Sequence, residues 1–260
     1  AKGVSWRSVE ILRQFGLQDK LEERALPRSM DTLAWYERMV DKPKATLSPS
    51  VGENITPSAI SGFITQPAVE EVIADELQGD VVGLNFNHRV TNFSQDESGV
   101  RVEVEDRKSG TKKLVGAKYI IAADGAHSTF RKWLEVPMVG SETISSTVSI
   151  HCNFPPNIIP DGNYNVLSYI LRYDGPGAII QTIDGKNEWI VMLGSTLDTP
   201  ELLKECFPED ICIEKIYEAV GRSDFDIEIL DIGYWTLGSQ IAKTFRQGRT
   251  FFAGDSCHRF

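Results

Sequence analysis

The chain has 260 residues, 37 of them acidic and 27 basic, for a formal charge of −10. That balance is spread rather than blocked, which argues against a nucleic-acid partner, because a phosphate-binding surface needs clustered Lys and Arg. Hydrophobic residues at 41% and charged residues at 25% exclude the disordered class and leave room for one large domain or two small ones.

In chain order, Ser5 to Leu21 reads as an amphipathic helix with Val9, Leu12 and Phe15 on one face and Gly16 as its stop. Leu26 to Leu47, with Trp35 and Tyr36, is expected to be extended, and the Ser-, Pro- and Gly-rich stretch 48–62 to be a loop. Pro67 to Leu77 predicts a second helix, with Pro67 in its first turn. The period then falls to two. Val81–Phe86, His88–Phe93, Val100–Glu105 and Lys113–Ala122 read as short strands, with turns at Asp96-Glu97-Ser98-Gly99 and Lys108-Ser109-Gly110. Residues 144–195 predict an antiparallel sheet, with strands Val166–Tyr173, Ala178–Ile183 and Glu188–Leu193 and turns at 174–177 and 184–187. Asp198-Thr199-Pro200 opens a short helix, and another covers Ile211–Val220. Phe225–Ile232 alternates again, and Arg249–Ala253 is an apolar strand running into Gly254-Asp255-Ser256-Cys257-His258.

No apolar run approaches the ~18 residues of a membrane span, and no basic-then-apolar leader opens the chain. Cys152, Cys206, Cys212 and Cys257 contain no C-x-x-C pair, so neither a disulfide scaffold nor a metal site is expected. The expected setting is cytoplasmic.

Two segments share a form. Tyr119-Ile120-Ile121-Ala122-Ala123-Asp124-Gly125 and Arg249-Thr250-Phe251-Phe252-Ala253-Gly254-Asp255 each run a strand into a small residue, then an acid and a glycine. A carboxylate at a strand's carboxyl end can accept hydrogen bonds from sugar or ribityl hydroxyls, and glycine lets a ligand approach the backbone. The helix that follows would aim free N–H groups at phosphate. Either segment alone reads equally well as turn or cap chemistry.

Together they resemble the paired "DG" and "GD" motifs of FAD-dependent aromatic hydroxylases, the para-hydroxybenzoate and phenol hydroxylase family. Ile121-Ala122-Ala123-Asp124-Gly125-Ala126-His127-Ser128-Thr129-Phe130-Arg131 is similar to the first. Gly248-Arg249-Thr250-Phe251-Phe252-Ala253-Gly254-Asp255-Ser256-Cys257-His258-Arg259 is similar to the second, with Cys257 where a smaller residue is usual. Arg7-Ser8-Val9-Glu10-Ile11-Leu12 resembles the family helix whose early Arg reaches the flavin, and Ile64-Thr65-Gln66-Pro67 its Gln site. The resemblance implies a mixed α/β fold: a partial, Rossmann-like FAD domain (1–25, 61–143, 245–260) interleaved with an antiparallel-sheet substrate domain (26–60, 144–244). It makes Arg7, Gln66, Asp124, Gly125, Arg131, Gly254 and Asp255 the cofactor candidates. It also implies FAD as cofactor, NAD(P)H as reductant, dioxygen as oxygen source, a small phenol-like substrate, and a homodimer among the assemblies open to the chain.

The sequence departs from the family in two places. No G-x-G-x-x-G is present, and residue 260 follows directly on the second motif, so the 260 residues alone are expected to bind FAD weakly or not at all. A non-catalytic remnant using its sheet to bind an aromatic ligand or a protein partner is the alternative. His127 and His258 read as packing or capping residues. Tyr169, Arg172, Tyr173, Gln181, Trp189 and Met192 are candidates for the substrate sheet, but periodicity does not say which face of the sheet each takes. No residue stands out as a catalytic base.

Overall fold

Helix starts follow their capping residues. Ser5 accepts from the Ser8 N–H ahead of α1 (Trp6–Arg13), and Gly16, at φ +73°, ends that turn and lets α2 (Gln18–Arg24) set off in a new direction. A computed structural model describes residues 3–47, 63–77, 82–160, 165–171, 177–197 and 199–259. It continues with β1 (Leu33–Tyr36), β2 (Ala45–Leu47), α3 (Gln66–Glu76), β3 (His88–Gln95), β4 (Val100–Asp106), β5 (Lys112–Ala117) and β6 (Ile120–Ala122). Next come α4 (Thr129–Trp133), β7 (Met138–Asn153), β8 (Leu167–Ile170), β9 (Ala178–Thr182) and β10 (Glu188–Ser195). The chain closes with α5 (Pro200–Cys206), α6 (Glu209–Val220), β11 (Glu228–Ala242), β12 (Arg246–Gln247), β13 (Thr250–Phe252) and β14 (His258–Arg259). The fold is mixed α/β, as the sequence implied.

Two units form. The larger comprises Ala1–Gly83 and Ser146–Trp235, the smaller Leu84–Ser145 and Thr236–Phe260. In the larger unit the sheet order is β11-β7-β10-β9-β8-β1-β2. Its neighbours are antiparallel at β7–β10, β10–β9, β9–β8 and β1–β2, and parallel at β1–β8. One face is dry. Ala34, Tyr36, Ile150, Cys152, Ile180, Trp189 and Val191 form a core with Leu203 of α5 and Cys212, Ile216, Ala219 and Val220 of α6. Trp189 is 0% exposed, stacks on Phe154 at 4.8 Å and donates its indole N–H to the Phe154 carbonyl at 3.0 Å. Helices α1–α3 have their own apolar cluster of Val9, Leu17, Leu21, Ile64 and Val72, and Lys20–Glu76 and Arg24–Glu71 ion pairs link α2 to α3.

The smaller unit contains a three-stranded antiparallel meander, β3-β4-β5, and a second sheet, β12-β13-β6. Strand β14 pairs with the end of β11. Val102, Ala122, Phe130, Val136, Ala242, Phe252 and Cys257 make its core.

Several local expectations change. Val82–Phe86 forms no continuous strand; Val82, Leu84 and Phe86 are exposed, and the segment runs into a turn at Asn87, whose φ is +60°. Alternation there reflects an irregular stretch, with no face to bury. Lys113–Ala122 is two strands in two different sheets, β5 and β6. The break falls at Lys118-Tyr119, where the Arg249 guanidinium donates to the Lys118 carbonyl at 3.2 Å and lies 5.3 Å over the Tyr119 ring. The segment 48–62, Val81, Arg172, Tyr173, Asp198 and most of the 174–177 turn lie outside the described residues. Among the described residues, no helix is long and apolar enough to cross a membrane.

Candidate functional site

Strands β6 and β13 run parallel and side by side, with Thr250, Phe251 and Phe252 opposite Ile120, Ile121 and Ala122. The Ala253 N–H extends the ladder to the Ala122 carbonyl at 3.0 Å. The two acid–glycine segments therefore leave one sheet edge together. Ser256 is fully buried between them; its hydroxyl donates to the Ala122 carbonyl at 2.7 Å and accepts the Ala253 N–H at 3.0 Å. Arg131, 8% exposed, completes the link, donating to the Ser256 carbonyl at 2.6 Å and the Ala126 carbonyl at 2.7 Å. A buried guanidinium aimed at two carbonyls holds both turns in one arrangement.

The two carboxylates differ. Asp124 accepts the N–H groups of Thr129 at 2.7 Å and Phe130 at 3.3 Å, and Ser128 accepts that of Arg131 at 3.0 Å. The first N–H groups of α4 are thus spent internally, so the expectation of a phosphate seat at that helix start is corrected. Asp255 is exposed, and its carboxylate accepts no hydrogen bond among the described residues. Gly125 (φ +81°) and Gly254 (φ +60°) flank the pair in the left-handed region, and no atom lies within 4 Å of where a Cβ would stand on either. Open space, a left-handed glycine and an unpartnered carboxylate at a strand tip fit the polyol chain of a dinucleotide. The buried Cys257 beside them has its thiol pushed up chiefly by burial, with Asp255 adding to the shift and Arg131 opposing it. His127 is exposed, and His258 lies in β14 opposite Ile241.

The structure thus brings Asp124, Gly125, Arg131, Gly254 and Asp255 together in the smaller unit. Arg7 and Gln66 belong to the larger. Arg7 is exposed on the first turn of α1 and pairs with Glu10 at 3.1 Å, while Gln66 opens α3 and donates to Glu70 at 2.7 Å.

Register resolves the sheet faces that periodicity left open. Residues directly opposite across strands share a face. Trp35, Tyr169, Ile179, Met192 and Ser149 therefore form one row, and Leu33, Leu167, Gln181, Ile190 and His151 a second, both on the face turned away from the Trp189 core. Trp35 stacks on Tyr169 at 5.2 Å, and Trp235 donates to the Ser149 hydroxyl at 2.9 Å, extending the first row. Trp189, a candidate from sequence, lies on the opposite, dry face. A cavity of about 460 Å³ lies at the end of the second row, between the start of α3 (Gln66, Glu70) and His151, Ile183, Glu188 and Ile190. His151 and Glu188 meet there at 2.7 Å. Sequence reading missed this pair because its members come from non-consecutive strands; the period-two pattern around each was the only signal.

The mixed α/β fold is shared with solved structures of flavin-dependent monooxygenases. The chain belongs to the FAD binding domain family, whose model matches residues 1–260. It is 29% identical over 284 residues to a tetracenomycin A2 monooxygenase-dioxygenase of Streptomyces glaucescens, covering 99% of this chain and 50% of the relative. It is 26% identical over 265 residues to a phenol 2-monooxygenase of Pseudomonas sp. (strain EST1001), covering 97% and 42%. A solved ternary complex of aklavinone-11 hydroxylase with FAD and aklavinone superposes with a TM-score of 0.88 at 21% identity, over 100% of this chain and 50% of that one. The chain spans about half the length of the curated relatives it matches.

Proposed function

We propose that this chain supplies the ribityl-side flavin contacts and the substrate face of an FAD-dependent monooxygenase that hydroxylates a phenol-like ring, using NAD(P)H and dioxygen. The observation that carries this reading is the carboxylate of Asp255, free among the described residues and standing beside Gly254 and Gly125 where two parallel strand tips abut. When bound, FAD supplies the redox chemistry, taking electrons from NAD(P)H and activating dioxygen. The protein's own groups bind and orient. Asp255 would accept hydrogen bonds from hydroxyls of the flavin's sugar-like chain, and the two glycines would admit it close to the backbone. Asp124 and Arg131 serve the site by fixing the turns, through the α4 cap and the Ser256 and Ala126 carbonyls. The family resemblance assigns flavin contacts to Arg7 and Gln66 as well. In this reading 1–25, 61–143 and 245–260 serve the cofactor and 26–60 and 144–244 the substrate. The Trp35–Tyr169 stack, with Ile179 and Met192 in the same row, gives a planar ring a flat wall that excludes water. A homodimer belongs to the same reading. Names of relatives that act on phenol and on tetracenomycin support the ring class.

The test is an FAD titration of the purified chain, followed by flavin fluorescence. Replacing Asp255 with Ala is expected to weaken binding by about tenfold or more, the worth of a charge-assisted hydrogen bond. Measurable FAD binding by the wild-type chain that is equally tight in Asp255→Ala would remove the assignment.

A further inference from the structure

His151 sits on β7 and Glu188 at the head of β10, just after the turn in which the Asp184 carboxylate accepts the Lys186 and Glu188 N–H groups at 2.8 and 3.1 Å. Across the ladder His151 is opposite Ile190 and Glu188 opposite Asn153, so the two side chains reach each other diagonally. Contact is through His151 Nε2 and Glu188 Oε1, at 2.7 Å, with both side chains about one-third exposed. The other ring nitrogen, Nδ1, makes no hydrogen bond among the described residues. A carboxylate on one imidazole nitrogen fixes the tautomer, so the second nitrogen is left as a proton acceptor.

The surroundings suit one class of ligand. The cavity of about 460 Å³ falls within the range of small-molecule sites and combines Ile183 and Ile190 with a few polar groups. The acidic residues that line the cavity with His151 are Glu188 on β10 and Glu70 on α3, the latter held by Gln66 at 2.7 Å; farther along β7, Asn153 donates to Glu228 of β11 at 2.8 Å. No Lys or Arg is among the described lining residues, so a ring enters as the neutral phenol, and a phenolate formed there has the His151 imidazolium as its one counter-charge among those residues.

We infer that the His151–Glu188 pair is the base that takes the proton from a phenolic hydroxyl of a ring seated in this cavity, with Glu188 as the positioning residue. The inference rests on the reading of this sheet face as the substrate face. In the step, the phenol O–H bond breaks and its electron pair stays on oxygen. The proton forms a bond to His151 Nδ1, and Glu188 balances the resulting imidazolium. The phenolate is the more electron-rich ring, which is what an electrophilic oxygen donor requires, and no oxidant is consumed in the transfer.

The test uses the full chain and para-nitrophenol, whose phenolate has its own absorption band, so binding and ionisation are read separately and without turnover. The wild-type chain is expected to bind the probe and hold it ionised at a pH where the free probe is still largely neutral. His151→Gln is expected to bind the neutral probe, at a pH below both midpoints, with a Kd within about threefold of wild type but to raise the midpoint of bound-probe ionisation by about one pH unit, a tenfold loss of phenolate affinity. Glu188→Gln should raise the midpoint in the same direction while leaving the probe bound. Two outcomes overturn the inference, and they differ. Binding with an ionisation midpoint unmoved in both variants removes the base and leaves the substrate face standing. No binding of the probe to the wild-type chain removes the substrate-face reading, and the base with it.

Discussion

The tip of the β6–β13 pair and the outer face of the large sheet solve different problems. At the tip almost every polar group is committed to its neighbours. Asp124 caps α4, Ser256 bridges the two turns, Arg131 ties down two carbonyls, and Asp255 alone is left over. On the sheet face little is locked by hydrogen bonds; two cross-strand rows offer aromatic and aliphatic surface, with one polar pair at the end of the second. A seat for a constant cofactor is expected to be rigid, whereas a face for a ring of variable shape is best built from side chains that adapt. Mutations should separate the two.

The largest effect is expected beneath the sheet. Trp189→Ala removes a fully buried indole and its hydrogen bond to Phe154, and should cost the larger unit about 3–5 kcal/mol in urea unfolding. Next is Arg131→Met, which orphans the Ser256 and Ala126 carbonyls; a loss of about 2–4 kcal/mol is expected, together with weakened FAD binding, read by denaturation and titration of the same sample. Asp255→Ala should leave the unfolding midpoint where it is and change only the FAD isotherm, since no described residue depends on that carboxylate.

The smallest effect concerns pH, and its sign differs between buried thiols and hydrogen-bonded turn carboxylates. In the larger unit, burial pushes the Cys152 thiol up to about 12 and Cys212 to about 11. Unfolding lets both ionise near their ordinary value, so this contribution is intact at neutral pH and falls as pH rises from about 9 toward 11. In the smaller unit, hydrogen bonds from Ser98 hold Asp96 below the ordinary carboxylate range, and those from Lys108 and Ser109 do the same for Asp106. Those contributions are complete above that range and are lost as pH falls through it. Hydrogen exchange should therefore show β3–β5 loosening first in acid and β7–β10 first in alkali. Simultaneous loosening of both at either extreme would erase the distinction.

What the sequence disclosed follows the reach of the forces involved. Gly16, Thr65 before Pro67, Thr199 before Pro200 and the Asp96–Gly99 turn act within four residues, and each does locally what its side chain predicts. The two acid–glycine segments were visible because each carries its form alone. That they abut is a tertiary fact, supported by the parallel register and by Ser256. The division of labour between Asp124 and Asp255 was not legible, since it depends on which carboxylate finds N–H groups in space. Alternation in β8–β10 promised two faces without ranking them. Only register against neighbouring strands assigned Trp189 to the core and Tyr169, Gln181 and Met192 to the other side. The split between β5 and β6 was hidden because its cause, Arg249, stands far away in the chain.

That distance has a consequence for biogenesis. Ser256 and the Ala122 carbonyl it bonds are separated by 134 positions. At ribosomal elongation rates, a nascent β6 waits on the order of ten seconds before its parallel neighbour exists at all. During that interval Ile121, 70% exposed among the described residues, and the edge of β6 that β13 will cover are an invitation to stray pairing. Chaperone dependence during translation, more than the stability of the finished protein, should govern how much of this chain a cell recovers in usable form.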